Sequence, residues 1–119
     1  RLLCDFATEM VVLLTETHVP RTENLSYFGN RNEAHVVYNF PLPPLILHAM
    51  QSGTSRYLHR WQAAMPPAQL GCAYLNFTAS HDGIGMRPAD GVLPPEEKAR
   101  MIATVQGAGG LVSNHRDVA

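Results

Sequence analysis

Glu16 and the pair His81-Asp82 each stand just past the end of an apolar run. Val11-Val12-Leu13-Leu14-Thr15 leads into Glu16, and Ala73-Tyr74-Leu75-Asn76-Phe77-Thr78-Ala79 leads through Ser80 into His81-Asp82, with Gly83 and Gly85 close behind. If both runs are strands of a parallel sheet, the two carboxylates lie beyond its C-terminal edge, where a rigid strand aims a side chain and the following loop frames a pocket. Acidic groups so placed can give or take a proton, or hold a fixed negative charge beside a reacting centre. The competing description of any single Asp or Glu is a loop charge or helix cap in solvent. The apolar run ahead of Glu16, and the glycines that permit close backbone approach beside Asp82, weigh against it.

Other chemistry-bearing residues carry less. A His-Asp dipeptide can be a metal pair, but the remaining ligands it would need lack metal-type spacing, so no metal is expected. Gly107-Ala108-Gly109-Gly110 follows a helical pattern, whereas a phosphate cradle needs a preceding strand, and it reads as a helix stop. Ser80 and Ser113 lack a nucleophile-elbow context, and Cys72 precedes a strand instead of ending one. His35, His48 and His59 read as structural histidines, and Tyr57 and Trp61 as core.

The elements that position Glu16 and Asp82 follow from periodicity. Leu2, Leu3, Phe6 and Met10 have helical spacing, and the run 11–15, without alternation, reads as a strand buried on both faces. A polar stretch, 17–34, separates it from a second strand, 35–40, which Pro41, Pro43 and Pro44 close. Pro44 suits the first turn of a helix over 45–52 with Gly53 at its C′ position. Thr54 or Ser55 can cap a further helix through Met65, whose apolar face is Tyr57, Leu58, Trp61, Ala64 and Met65. Residues 73–79 make the third strand. Pro94-Pro95-Glu96-Glu97 opens a helix with Met101, Ile102 and Val105 toward the core. Leu111-Val112-Ser113 is a fourth short strand or the entry to a loop. The alternation specifies an α/β chain with parallel strands.

With 119 residues, 45 % hydrophobic and 16 % charged, the chain has a globular composition and room for at most one core. Nine Lys and Arg against ten Asp and Glu leave no basic footprint for a phosphate backbone, which argues against nucleic acid as a partner. The longest uncharged apolar run, 40–53, is too short for a bilayer and interrupted by prolines, and nothing reads as a signal peptide; no membrane association is expected. Cys4 and Cys72 have neither metal nor redox spacing and read as buried thiols in a reducing compartment, hence a cytoplasmic expectation. Arg1 in place of a methionine suggests a piece of something longer.

Four stretches together resemble one family. Leu13-Leu14-Thr15-Glu16-Thr17-His18, Tyr27-Phe28-Gly29-Asn30, Glu33 through Pro44, and Asn76-Phe77-Thr78-Ala79-Ser80-His81-Asp82-Gly83-Ile84-Gly85 are similar, in that order, to the sucrose phosphorylase and glucosylglycerate phosphorylase-like group of the alpha-amylase superfamily. The resemblance spans nearly the whole chain. It implies that residues 1–119 are a fragment of a catalytic (β/α)8 barrel, with strands five, six and seven at 11–15, 35–40 and 73–79. Glu16 then matches the general acid/base after strand five. Asp82 matches the carboxylate that stabilises the transition state, and His81 its neighbour on the glucosyl ring. The superfamily usually has Asn before this His-Asp pair, where this chain has Ser80. His18 matches an acceptor-side position of sucrose phosphorylases, whereas Met86-Arg87-Pro88 is closer to glucosylglycerate phosphorylases; the acceptor stays open between fructose, glycerate, glycerol or another alcohol.

The activity so implied is retaining transfer of an α-glucosyl unit from sucrose or a related α-glucoside to phosphate, giving glucose 1-phosphate. It calls for no cofactor, only a sugar substrate and phosphate. The family's nucleophilic aspartate lies at the end of strand four, ahead of this stretch, and Asp5, inside a helical segment, is no substitute, so the isolated chain is expected to be inactive. Two alternatives stand beside this reading: an α-glucoside hydrolase of the same superfamily, and a non-catalytic sugar-binding or interaction module.

Overall fold

The computed structural model describes residues 2–6, 10–16, 26–29 and 33–113. Its elements in chain order are α1 (Leu2–Asp5), β1 (Leu14–Thr15), β2 (Val36–Tyr38), α2 (Leu42–Ser52), α3 (Arg56–Ala63), β3 (Ala73–Leu75), a single 3-10 turn (Arg87–Ala89) and α4 (Pro95–Gly107). The strands form one open sheet in the order β1-β2-β3. Both pairings are parallel, with Thr15 opposite Val37 and Tyr38 opposite Leu75. Parallel pairing requires a crossover between neighbours, and α2 and α3 supply it between β2 and β3. The α/β class and the parallel strands expected from the apolar runs are therefore present.

Val37, at the middle of the central strand, is fully buried. On it pack Phe28 and Ala34, and Phe28 meets Tyr74 of β3 edge to face at 5.3 Å. A second cluster lies within the helical layer, where Leu45 of α2 meets Tyr57 and Trp61 of α3, Ala89 and Leu93 of the connecting turn, and Met101 of α4. Tyr57 and Trp61 thus belong to the core, as their helical spacing predicts. α2 begins at Leu42, three residues before the expected start, because Pro43 and Pro44 fall in the first turn, where a missing N–H forfeits no helical bond. It ends as expected at Gly53, whose φ of 70° permits its N–H to reach the Ala49 carbonyl at 3.0 Å. α3 is shorter than its apolar pattern, ending at Ala63. Its entry is held by Thr54, whose hydroxyl accepts the Arg56 N–H at 3.4 Å, while Ser55 makes no side-chain cap.

A polar junction ties the helices together. The buried His48 of α2 donates from Nε2 to Glu97 Oε2 of α4 at 3.0 Å. The other Glu97 oxygen faces Arg100 at 3.5 Å and Arg56 at 4.0 Å. The hydrogen bond from His48, reinforced by the positive charges of Arg100 and Arg56, holds the Glu97 carboxyl below its ordinary value against the opposing effect of burial. His35 is equally structural, accepting the Leu13 N–H on Nδ1 at 3.0 Å with Nε2 on Asp5 at 3.1 Å. His59 departs from its expected role and is exposed on α3.

The first strand departs most from its pattern. Val11 to Leu14 are 39 to 56 % exposed, although the unbroken apolar run predicts burial on both faces. The physical reason is that β1 is an edge strand, and no described helix lies over it. Leu3, Phe6 and Met10 beside α1 are exposed for the same lack of a covering layer. Leu111-Val112-Ser113 forms no strand, and neither Cys4 nor Cys72 is buried. The chain exposes 8322 Å², against about 6,400 Å² for a compact monomer of this length, and its radius of gyration is 16.4 Å against about 13.5 Å. Among the described residues the exposed large apolar side chains include Val11 to Leu14 at β1 and Leu75 of β3, together with Met50, Leu70 and Leu111. Among the described residues no helix is long and apolar enough to cross a membrane.

Candidate functional site

The C-terminal ends of all three strands open on one cleft of about 220 Å³. Glu16 reaches it as the first residue after β1, Phe40 and Pro43 from the passage between β2 and α2, and Phe77 from just past β3. The loop beyond supplies Ser80, Asp82, Gly83 and Gly85. The two carboxylates singled out by position, Glu16 and Asp82, therefore border the same cleft, Glu16 from the end of β1 and Asp82 from the loop beyond β3.

The ends of β2 and β3 are fixed to one another by a repeated dipeptide. Asn39-Phe40 and Asn76-Phe77 continue the register set by Tyr38 opposite Leu75. The buried Asn39 donates from Nδ2 to Asn76 Oδ1 at 2.6 Å, and its N–H donates to the Leu75 carbonyl at 3.0 Å. One position further on, Phe40 and Phe77 meet edge to face at 5.5 Å, and Tyr38 touches both rings. A satisfied amide pair and a three-ring cluster make a stiff floor for a cleft whose other wall is a loop. The reading by strand ends passed over these residues. The Asn-Phe dipeptide occurring after two successive apolar runs is the signal by which they can be found.

The loop itself is a tight turn. The Gly83 N–H donates to the Ser80 carbonyl at 3.0 Å and the Ser80 N–H donates back to the Gly83 carbonyl at 3.3 Å. Gly83 has φ of 88°, which a residue with a side chain adopts only with strain. His81 and Asp82 occupy the tip, 84 % and 79 % exposed, with His81 Nε2 at 3.4 Å from Asp82 Oδ2. Asp82 lines the cleft and His81 stands beside it without lining it. His18 lies outside the described residues. Asp5 is engaged with His35 and does not line the cleft. Among the described residues no group of three or more His, Cys, Asp or Glu side chains could hold a metal ion.

Two exposed carboxylates on a common cleft, one on a strand end and one on a turn, suit chemistry in which a proton donor and a fixed negative charge act on the same ligand. Phe40, Phe77 and Pro43 add an apolar lining beside them, which can bury the face of a bound ligand.

No family model matches the chain. Its sequence is 46 % identical over 113 residues to the glucosylglycerate phosphorylase of Spirochaeta thermophila, covering 95 % of this chain and 19 % of that protein. It is 45 % identical over 118 residues to that of Allomeiothermus silvanus, covering 98 % of this chain and 21 % of the relative. The corresponding Escherichia coli enzyme is 40 % identical over 114 residues, covering 95 % and 20 %. The chain spans about a fifth of the length of these curated relatives. Over almost every residue it is homologous to the glucosylglycerate phosphorylases of the alpha-amylase superfamily, as a stretch amounting to one fifth of such an enzyme.

Proposed function

We propose that residues 1–119 form part of the catalytic (β/α)8 barrel of a retaining glycoside phosphorylase, with β1, β2 and β3 as its fifth, sixth and seventh strands. The observation that carries the reading is the convergence of Glu16 and Asp82 on one cleft at the C-terminal edge of a parallel sheet. The sequential strand order, the surface left uncovered on β1 and β3, and the homology to enzymes of that activity support it. The relatives are named for glucosylglycerate, so glucosylglycerate replaces sucrose here as the proposed donor.

In this scheme Glu16 protonates the glycosidic oxygen as the bond to the anomeric carbon breaks, and the glycerate leaves as a neutral hydroxyl. A carboxylate nucleophile, about 5 Å away across the sugar in such enzymes, takes the glucosyl unit. No residue of 1–119 matches it, so turnover belongs to a full-length protein. A phosphate oxygen then attacks the anomeric carbon, helped by the Glu16 carboxylate, and displaces the nucleophile with net retention. Asp82 supplies fixed negative charge beside the oxocarbenium-like transition state, and His81 and His18 hold sugar hydroxyls on the glucosyl and acceptor sides.

Phosphate dependence tests the reading. The full-length protein, given glucosylglycerate, should release α-glucose 1-phosphate only when phosphate is present. Free glucose formed at the same rate with and without phosphate would make it a hydrolase, and binding of the sugar without turnover would make it a binding module.

A further inference from the structure

We propose that Ser80 is a positioning residue for Asp82: its hydroxyl fixes the central peptide of the turn that presents the Asp82 carboxylate to the cleft. The inference rests on the role given to Asp82 above. Ser80, Asp82 and Gly83 all border the cleft. The two backbone hydrogen bonds between Ser80 and Gly83 close the base of the turn, but neither touches the peptide between His81 and Asp82. Both tip side chains are exposed, so packing does not hold them. What reaches that peptide is the Ser80 hydroxyl, which accepts the Asp82 N–H at 3.2 Å and lies 3.5 Å from the Gly83 carbonyl.

A side-chain oxygen bonding the N–H two residues on is within reach of Ser, Thr, Asn and Asp, and of no aliphatic side chain. In Ser80→Ala the base of the turn survives while the 81–82 peptide gains freedom to rotate, carrying the carboxylate with it. A charge that must stand beside a transition state loses value when it is no longer held in place beforehand. Glu16, on another strand, is untouched by the change, and so are both apolar clusters. The contact therefore acts through the orientation of Asp82 and not through the stability of the fold. Asparagine at position 80 can make the same bond to the Asp82 N–H, which gives the hypothesis a conservative variant able to rescue it.

The test compares Ser80→Ala, Ser80→Asn and Asp82→Asn in the full-length protein with glucosylglycerate and phosphate. Ser80→Ala should lower kcat/KM about tenfold, mostly in kcat, with an unchanged melting temperature, and Ser80→Asn should return it to within about threefold of the parent. Ser80→Ala with the parent's kcat/KM, or Ser80→Asn no better than Ser80→Ala, overturns the proposal. An inactive Asp82→Asn beside a fully active Ser80→Ala sinks this inference alone. Full activity of Asp82→Asn removes the role of Asp82 and the inference with it.

Discussion

Replacing Glu16 by Gln removes one proton and one charge while keeping the shape of the side chain. Glu16 is exposed and lies one residue past Thr15, the last paired residue of β1, so the substitution disturbs neither a ladder hydrogen bond nor a packed contact in either apolar cluster. Exposed substitutions of this kind shift stability by less than about 0.5 kcal/mol, and the melting temperature should stay where it was. Catalysis should not. A positioned general acid contributes roughly 10²- to 10⁴-fold, or about 3–5 kcal/mol of barrier, when the leaving group is an alcohol that needs a proton. The assay is glucose 1-phosphate formation from glucosylglycerate and phosphate by the full-length protein, run in parallel with α-glucosyl fluoride as donor. Fluoride leaves without a proton, and phosphate brings its own anionic oxygen to the second half-reaction. Glu16→Gln should therefore lose two to four orders of magnitude on the glycoside but less than about tenfold on the fluoride. Equal losses on both donors, or turnover of glucosylglycerate within about threefold of the parent, would refute the acid/base role.

Three further outcomes follow from the packing. Leu45→Ala empties a fully buried site between α2, α3 and α4 and should cost about 2–5 kcal/mol in denaturant unfolding; a loss under about 1 kcal/mol would mean that the helical layer collapses around the gap. Gly53→Ala meets open space but must hold a φ of 70°, so it should destabilise by about 1 kcal/mol through backbone strain alone. The Glu97 carboxyl titrates below its ordinary value of 4.5, so the stability it brings to the α2 and α4 junction is complete above that value and fades as the pH falls through its lower folded value. Glu97→Gln should accordingly melt below the parent at neutral pH, with the two curves converging in acid; a gap that stays constant with pH would contradict this.

The elements legible in the sequence were those with local causes. The Pro-Pro-Glu-Glu start of α4, the Gly53 stop of α2 and the central strand at Val36–Tyr38 each rest on a residue whose backbone or burial preference decides the matter nearby. Position at a strand end likewise brought Glu16 to the cleft, because the direction of a parallel strand fixes which end its next residue occupies. Asp82 arrives differently, since β3 stops at Leu75, short of the expected 73–79, and the turn at Ser80–Gly83 carries Asp82 to the same cleft. What was not legible depended on partners. The Val11–Leu14 run looks like a strand covered on both faces, but burial needs a second layer, and residue pattern alone does not say what lies over an edge. The amide pair Asn39–Asn76 and the role of Ser80 escaped for a related reason: polar side chains become informative only once register and turn geometry bring donor to acceptor.

The sheet's strands are neighbours in the same order in which they are made. Val36 of β2 pairs with Ala73 of β3, a spacing that a ribosome crosses in about 2–7 seconds, whereas pairing of distant strands takes milliseconds to seconds. Each strand can thus dock on its predecessor before the next one leaves the ribosome, and no strand has to wait for a partner encoded far downstream. β3 is then the last of the three to join, and its Asn76-Phe77 meets the Asn39-Phe40 of β2 as it arrives. The cleft would be completed late, when the turn at Ser80–Gly83 emerges and brings Asp82 to a carboxylate that β1 has already set in place.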